Sequence, residues 1–296
     1  MPAIQPLTEQ SSKAPSIKPQ TIQTDSQGWK AHLTLGFEKR SGKSVLASRT
    51  QCGPLTVQRP FYPEGDVCHL YLLHPPGGVV GGDELHINVE AAKQANALIT
   101  TPGATKFYRN TGKLAKQIQI LTVLNDSSLE WFPQENIFFD GTHTQLTTRI
   151  ELEESARFMG WEINCYGRPA SKELFNSGKV DTKLEITRNG EPLLLDRLKI
   201  INNDALQSPA SLAGYPCFGT FIATHVTPQL LEKAREAITD IGGDQQVGIT
   251  LLDDILVARC LGQYAEQIST ILKLIWMALR PEVMGRDACH PRIWAT

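Results

Sequence analysis

Three sequence features are missing from this chain, and each absence excludes a class of function. No stretch approaches the ~18 consecutive apolar residues of a membrane-spanning helix. The 29 basic and 31 acidic residues leave a net charge of −2, without the basic excess typical of nucleic-acid binding. The chain does not open on a basic segment followed by an apolar core, so no secretory signal is visible and we expect a cytoplasmic protein.

The six cysteines are irregularly spaced, and none forms a C-x-x-C pair. They stand at positions 52, 68, 165, 217, 260 and 289. In a chain of 296 residues without a signal sequence, this pattern predicts reduced, buried thiols. There is also no G-x-S-x-G elbow and no H-x-x-x-H helix pattern, so neither a serine nucleophile nor a local high-affinity metal site is encoded.

One segment is similar to a phosphate-binding loop, but its spacing and context differ from that motif. Residues 36–44, GFEKRSGKS, place five residues between the glycines instead of four. The segment also follows a half-exposed alternating strand, whereas a P-loop follows a buried strand and opens a helix. We therefore interpret Ser41-Gly42 as a hairpin turn.

A long succession of strand patterns is the main positive feature. Between residues 29 and 37 every second side chain is apolar, which predicts a strand with one exposed face. Further on, Asn189-Gly190 lies between two apolar runs and is a strong hairpin signal. The other predicted strands are 67–73, 85–89, 97–101, 114–124, 129–132, 145–152, 156–166, 180–187, 193–201, 247–252 and 255–261.

Two helices are predicted near the C-terminus. Thr227 and Pro228 suit the N-cap and first position of one helix, and Gly242-Gly243 is expected to end it. The second is expected from about 264 to 279, with Pro281 after its end. Because strands do not alternate with helices, a doubly wound parallel sheet is excluded. We predict a mainly β fold, antiparallel or solenoid-like (β-helical), with two C-terminal α-helices.

Composition divides the chain near residue 28. Residues 1–27 are rich in Gln, Ser, Thr, Pro and Lys, which is typical of a disordered tail. No comparable break follows, so residues 28–296 are expected to form a single β-rich domain.

The loop PPGGVVGG at 75–82 has the densest concentration of conformationally special residues. Two prolines and four glycines specify a shaped backbone, and no phosphate-binding motif accompanies them. We expect a rigid bend between two strands that ends in Asp83-Glu84. His69 and His74 stand five apart on a predicted strand, so they face opposite sides and cannot chelate one ion together.

Carboxylates in apolar surroundings are the remaining candidates for chemistry. Glu162 interrupts the apolar run FMGWEI at 158–163, where a carboxylate either faces water or lines an internal polar path. Asp83 follows the glycine loop, and Glu135 and Asp140 bracket an apolar segment. Carboxylates converge in space and not in sequence, so an orphan β-rich hydrolase using a carboxylate pair stays open as an alternative function.

Six blocks spread along the chain together resemble the UreD (UreH) family of urease accessory proteins. One block alone is weak support, but six in this order are specific, and the similarity extends over residues 29–296. The blocks are 53–65 (GPLTVQRPFYPEG), the glycine loop with its flanks at 72–85, 100–109 (TTPGATKFYR), 131–136 (WFPQEN), 160–162 with 167–169 (GWE and GRP), and 291–296 (PRIWAT).

The resemblance implies a scaffold that takes part in inserting nickel into urease, and not an enzyme. It implies binding to UreF, recruitment of the GTPase UreG through UreF, and docking on the urease apoprotein. GTP then belongs to the partner, which fits the absence of a P-loop motif. No tightly bound cofactor is implied, Ni²⁺ is carried transiently, and neither nucleic acid nor membrane is a partner.

The resemblance also gives the candidate residues a role. Glu162, Asp83, Glu135 and Asp140 are candidates for lining a transient nickel path, because oxygen ligands hold a divalent ion more weakly than clustered imidazole or thiolate. Candidates for contact with UreF lie on the second helix and at the C-terminus, and for the helix members a core position is the competing interpretation. These residues are Ile268, Ile275, Trp276, Ile293 and Trp294.

Overall fold

The computed structural model describes residues 28–110 and 112–295, so the tail predicted at 1–27 lies outside the described residues. The strands are β1 Lys30–Arg40, β2 Lys43–Cys52, β3 Thr56–Val57, β4 Cys68–Leu73, β5 Glu84–Ala91, β6 Asn96–Thr100, β7 Thr105–Phe107, β8 Ala115–Val123, β9 Ser128–Phe132, β10 Asn136–Phe138, β11 Thr142–Leu152, β12 Arg157–Tyr166, β13 Gly178–Arg188, β14 Glu191–Ile201, β15 Cys217–Ala223, β16 Gln246–Leu252 and β17 Ile255–Gly262. The helices are α1 Asn202–Gln207, α2 Pro228–Glu236 and α3 Ala265–Met284, with 3₁₀ turns at Pro169–Ser171 and Arg292–Ala295.

The chain winds as a flattened solenoid, because successive strands enter two sheets in turn. Strands β4, β6, β9 and β12 run parallel in a ten-stranded sheet. Strands β1, β5, β8, β11 and β13 run parallel in a seven-stranded sheet. Antiparallel strands flank these parallel runs, as β2 and β14 do in the smaller sheet. The solenoid alternative is confirmed, and the antiparallel pairing lies at the margins.

Two hairpins predicted from their turn residues are present. Ser41-Gly42 joins β1 to β2, and Asn189-Gly190 joins β13 to β14. The four φ angles are 47°, 85°, 51° and 84°. Positive φ at both central residues is the type I′ geometry, whose twist matches that of the flanking strands. The segment similar to a phosphate-binding loop is therefore a hairpin.

The glycine loop packs against β7 as the predicted rigid bend. The buried Val79 donates its N–H to the Lys106 carbonyl at 2.7 Å and accepts the Tyr108 N–H at 2.9 Å. A Cβ on Gly78 would lie 2.5 Å from the Tyr108 ring and 2.6 Å from the Lys106 carbonyl oxygen. This close approach explains why glycine is required there.

Two apolar cores separate three layers. One core lies between the two sheets, and the other lies between the ten-stranded sheet and the helices α2 and α3. Strand β12 contributes to both, with Phe158 and Tyr166 in the first and Met159 and Trp161 in the second. Because β12 is covered on both faces, its sequence reads as a nearly continuous apolar run.

The helix boundaries differ from the prediction at both C-terminal helices. Helix α3 continues through Pro281 to Met284, and Gly285, with φ of 69°, ends it. An internal proline removes one hydrogen bond, but Val283 and Met284 beyond it are buried, and their packing holds the last turn. Helix α2 ends at Glu236, before the two glycines. None of the described helices is long and apolar enough to cross a membrane.

A buried ion network fastens α3 to the ten-stranded sheet. The Arg280 guanidinium, fully buried, donates to the Glu64 carboxylate at 2.7 and 2.8 Å and to Glu130 at 2.8 to 3.2 Å. The Trp276 indole N–H donates to Glu130 at 2.7 Å, and His69 Nε2 lies 2.6 Å from Glu64. The network therefore joins a loop, a strand and a helix that are far apart in sequence.

The pKa shifts of Glu64 and Arg280 favour the charged forms of both groups. Burial raises the pKa of Glu64, but hydrogen bonds from His69 and Arg280 outweigh burial and lower it to about 2. Burial lowers the pKa of Arg280, and its hydrogen bonds to Glu64 and Glu130 outweigh this effect and raise it above its usual range. Because folding lowers the pKa of Glu64, its contribution to stability is present above the ordinary glutamate pKa and is lost as pH falls towards 2.

We expect Arg280→Leu to lower the free energy of unfolding by about 3–5 kcal/mol, because it removes the guanidinium that both Glu64 and the buried Glu130 pair with. The matched control is Arg286→Leu, which breaks a partly exposed ion pair of 3.2 Å with Asp66 and costs less than about 1 kcal/mol. Urea unfolding at pH 7 measures both values. Equal losses in the two variants would show that the buried network does not stabilise the fold.

Candidate functional site

Polar side chains line a cavity between the two sheets. Gln117 and Gln119 reach it from β8, Thr148 from β11, Glu162 from β12 and Thr220 from β15. The cavity of about 50 Å³ has room for a few water molecules. Apolar residues of the inter-sheet core complete its walls, among them Leu85, Ile87, Ile150, Phe158 and Ile222.

Strand β8 turns two glutamines inwards, between the apolar residues Ala115 and Leu121 of the same face. Gln117 and Gln119 are each 5% exposed, whereas Ile118 and Ile120 lie on the outer face and keep partial exposure. Alternation of Gln and Ile predicts a strand with two unlike faces, but it does not say which face meets the core. The two glutamines were therefore not predicted as site residues, although their alternation is visible in the sequence.

Glu162 occupies the centre of a hydrogen-bonded chain across the cavity. Its Oε1 accepts from the Asn164 amide at 2.8 Å, and its Oε2 accepts from the Thr148 hydroxyl at 3.2 Å. Asn164 in turn accepts from the Asn136 amide at 3.0 Å. Because Thr148 belongs to one sheet and Glu162 to the other, this carboxylate bridges the two sheets.

The same carboxylate also faces a second, more open cleft. Glu162, Leu184 and Thr220 line both the cavity and this cleft. On the cleft side, Asp196 and Arg259 form an ion pair of 2.7 Å. Glu162 thus lies between the interior cavity and the cleft, and the internal polar path stays a prediction.

The environment of Glu162 favours uptake of a positive charge. Burial raises the pKa of its carboxyl, the hydrogen bonds from Asn164 and Thr148 oppose this, and the charge of Asp196 adds to it. Neither hydrogen-bond partner carries a charge, in contrast to the Arg280 network. A buried carboxylate with neutral partners is stabilised by a proton or by a bound cation.

Asp83, another predicted metal candidate, anchors the glycine loop. Its two carboxylate oxygens accept the Trp29 N–H at 2.8 Å and the Val80 N–H at 2.9 Å. His74 lines the cavity, and burial lowers its pKa while the charge of Asp83 opposes this. His69 instead belongs to the ion network, so the two histidines do not share a site.

Asp140 and Glu135 flank β10 in different surroundings. One Asp140 oxygen accepts the Asn176 N–H at 2.8 Å and the Ser177 N–H at 2.7 Å, which fixes a loop. Glu135 lies near Lys273, whose pKa is lowered by burial. The four carboxylates do not converge, and across residues 28–110 and 112–295 no group of three or more His, Cys, Asp and Glu side chains is arranged to hold a metal ion.

The predicted partner-contact residues divide into two groups. Ile268, Ile275 and Trp276 are fully buried in the core beneath α3, so they present no surface. Ile293 and Trp294 are half-buried, and the Trp294 indole N–H donates to a threonine hydroxyl, Thr100, at 3.0 Å. The exposed apolar residue of α3 is Met277, with 40% exposure, which was not predicted as a contact because periodicity identifies only the buried face.

Comparison with known proteins gives one family along almost the whole chain. The sequence model described as "UreD urease accessory protein" matches residues 30–295. A protein named urease accessory protein UreD from Alcanivorax borkumensis is 49% identical over 274 residues, which cover 91% of this chain and 93% of the relative. A protein of the same name from Aliivibrio fischeri (strain MJ11) is 44% identical over 284 residues, covering 93% and 99%. A third, from Pseudomonas putida (strain W619), is 43% identical over 269 residues, covering 91% and 95%.

The raised pKa of Glu162 predicts a pH-dependent penalty on stability. A carboxyl whose pKa is higher in the folded state stabilises the fold below its ordinary pKa and loses this contribution as pH rises through the folded value. Glu162→Gln should therefore gain stability relative to the unsubstituted protein as pH rises from 4 to 8, in urea unfolding across that range. A difference in unfolding free energy that is constant with pH would contradict this assignment.

Proposed function

Because the chain belongs to the UreD family of urease accessory proteins, we propose that it is a scaffold in urease maturation through which nickel reaches the urease active site. The observation that supports this proposal is the cavity between the sheets, where the Glu162 carboxylate lies among polar side chains in an otherwise apolar lining. The protein needs no catalytic activity of its own for this role.

The cavity has the chemistry that transit of a divalent cation requires. One carboxylate supplies attraction, and the amide and hydroxyl oxygens of Gln117, Gln119 and Thr148 supply neutral ligands. Oxygen donors in this number hold Ni²⁺ less firmly than clustered imidazole or thiolate, so the ion can leave again. The raised pKa of Glu162 means that an arriving cation displaces a proton when that carboxyl is protonated.

The hydrolase alternative has less support. Among the described residues, Glu162 is the single carboxylate that lines the cavity, and the neighbouring Asp196 is paired with Arg259 at 2.7 Å. An acid–base pair needs a second carboxyl group that is free to exchange protons with a substrate. A transit site needs only one carboxylate, so the arrangement favours the scaffold.

We also propose that the protein binds UreF, recruits the GTPase UreG through UreF, and docks on the urease apoprotein. The outer side of α3, with Met277, and the neighbouring C-terminal segment, with Ile293 and Trp294, are the surface that we assign to UreF. Lys273 lies over the Trp294 ring at 5.1 Å, so this surface combines apolar area with a positive charge. Exposed apolar side chains beside charged ones are typical of protein contacts.

Glu162→Gln tests the nickel path, because it removes the charge and keeps the shape of the side chain. We expect urease matured with this variant at limiting nickel to contain several-fold less nickel, with unchanged recovery of UreF and UreG. The matched control is Glu151→Gln on the outer face of β11, an exposed carboxylate that accepts a hydrogen bond from the Thr122 hydroxyl at 3.3 Å. Full nickel content with Glu162→Gln, measured by metal analysis of purified urease, would exclude a role for this carboxylate in transit.

Met277→Asp tests the partner surface. A charge at this exposed position should lower co-purification of UreF with the tagged protein, because a carboxylate would have to be buried in the contact. Thr270→Asp, at another exposed position of α3, is the control, and thermal unfolding of both variants checks that the fold is intact. Equal UreF recovery with Met277→Asp and the unsubstituted protein would place the contact elsewhere.

A further inference from the structure

Two cysteines meet across adjacent strands on the helix-facing side of the ten-stranded sheet. Cys165 in β12 lies directly opposite Cys217 in β15, and their sulfur atoms are 3.2 Å apart. The neighbouring Tyr166 N–H donates to the Pro216 carbonyl at 2.8 Å. This bond makes Cys165 and Cys217 a non-hydrogen-bonded pair, the position at which antiparallel strands bring side chains closest.

This position suits a disulfide bond. Opposed residues of this type have Cα atoms about 4.5 Å apart, within the 4.4–6.8 Å that disulfides span. Closing the bond moves the sulfur atoms from 3.2 Å to about 2.05 Å, with no change in strand register. The third cysteine of this region, Cys260 in β17, lies opposite Gly219 and is out of register with both.

We propose that Cys165 and Cys217 are a redox-active dithiol that hydrogen peroxide converts to a cross-strand disulfide. In the first step the Cys165 sulfur attacks one peroxide oxygen and the O–O bond breaks, which gives a sulfenic acid and one water. In the second step the Cys217 sulfur attacks the sulfenic sulfur, the S–S bond forms and a second water leaves. The thiols lose two electrons and two protons, and the peroxide takes up both.

Exposure decides the order of these steps. Cys165 retains 5% of its surface, whereas Cys217 is fully buried, so Cys165 reacts with peroxide first. A hydrogen bond with Cys165 and burial both raise the pKa of the Cys217 thiol above its usual range. Because thiol oxidation also requires access, the buried pair reacts with peroxide more slowly than the exposed Cys52. The second step needs no movement of the strands, since the two sulfurs are already in contact.

The disulfide would join the two strands that form one wall of the cavity. Glu162 of β12 and Thr220 of β15 line the cavity, on the face of the sheet opposite to the two cysteines. The disulfide therefore restrains β12 and β15 on the side away from the cavity and leaves the residues that line the cavity unchanged. It also links residues 52 apart in sequence, which restricts the unfolded chain and stabilises the fold. This inference does not depend on the proposed function.

The test is oxidation of the full-length protein by excess hydrogen peroxide, followed by unfolding in an alkylating agent and peptide mapping without reduction. We expect a linked pair of peptides that contains Cys165 and Cys217, at a rate independent of protein concentration. The urea midpoint should rise on oxidation and return to its original value after treatment with dithiothreitol. Cys217→Ser should give no link and should leave Cys165 as a sulfenic acid that dimedone labels, whereas Cys260→Ser should form the link at the unaltered rate.

Two results would overturn the proposal. One is that Cys165 and Cys217 both remain alkylatable after Cys52 and Cys289 are fully oxidised. The other is oxidation of Cys165 to a sulfinic acid without any linked peptide, which would show that Cys217 does not resolve the sulfenic acid. If Cys217→Ser does not fold, peptide mapping of the unsubstituted protein still decides between these outcomes.

Discussion

The Arg280 guanidinium is the centre of the buried ion network that joins the helical layer to the rest of the molecule. Arg280 joins Glu64 in a loop and Glu130 in β9, and Trp276 of the same helix shares the second carboxylate. The core between α3 and the ten-stranded sheet exists only while the helix stays in this position. Helix α3 continues past Pro281, so the buried residues Val283 and Met284 lie on the same helix as Arg280.

The carboxylates of the interior have two different kinds of partners. Glu64 and Glu130 both form ion pairs with Arg280, and this pairing helps to lower the pKa of Glu64. Glu162 has only amide and hydroxyl partners, and burial raises its pKa. The first arrangement contributes stability, whereas the second costs stability and leaves a carboxylate ready to accept a positive charge. Such a cost is retained most readily where the carboxylate has a function.

Local features of the fold were predictable, and long-range features were not. The hairpins at Ser41-Gly42 and Asn189-Gly190 and the bend at the glycine loop follow from residues that are neighbours in sequence. The inward face of β8, with Gln117, depends on strands that lie beside it only after folding. The continuation of α3 through Pro281 likewise depends on distant partners. Glu162 was recognised because a carboxylate in an apolar strand is visible in sequence, but its neutral partner Thr148 belongs to the opposite sheet.

The length of chain that the Arg280 network closes has a consequence for the order of folding. Arg280 is 216 residues from Glu64 and 150 residues from Glu130, whereas Arg149 of β11 and its partner Glu185 on β13 are 36 residues apart. Contacts between residues that are distant in sequence form late. Closing the long loop between them costs chain entropy before the contact contributes any favourable free energy. Neighbouring turns of the solenoid can therefore assemble first, and we expect the contacts of Arg280 with Glu64 and Glu130 to form after them.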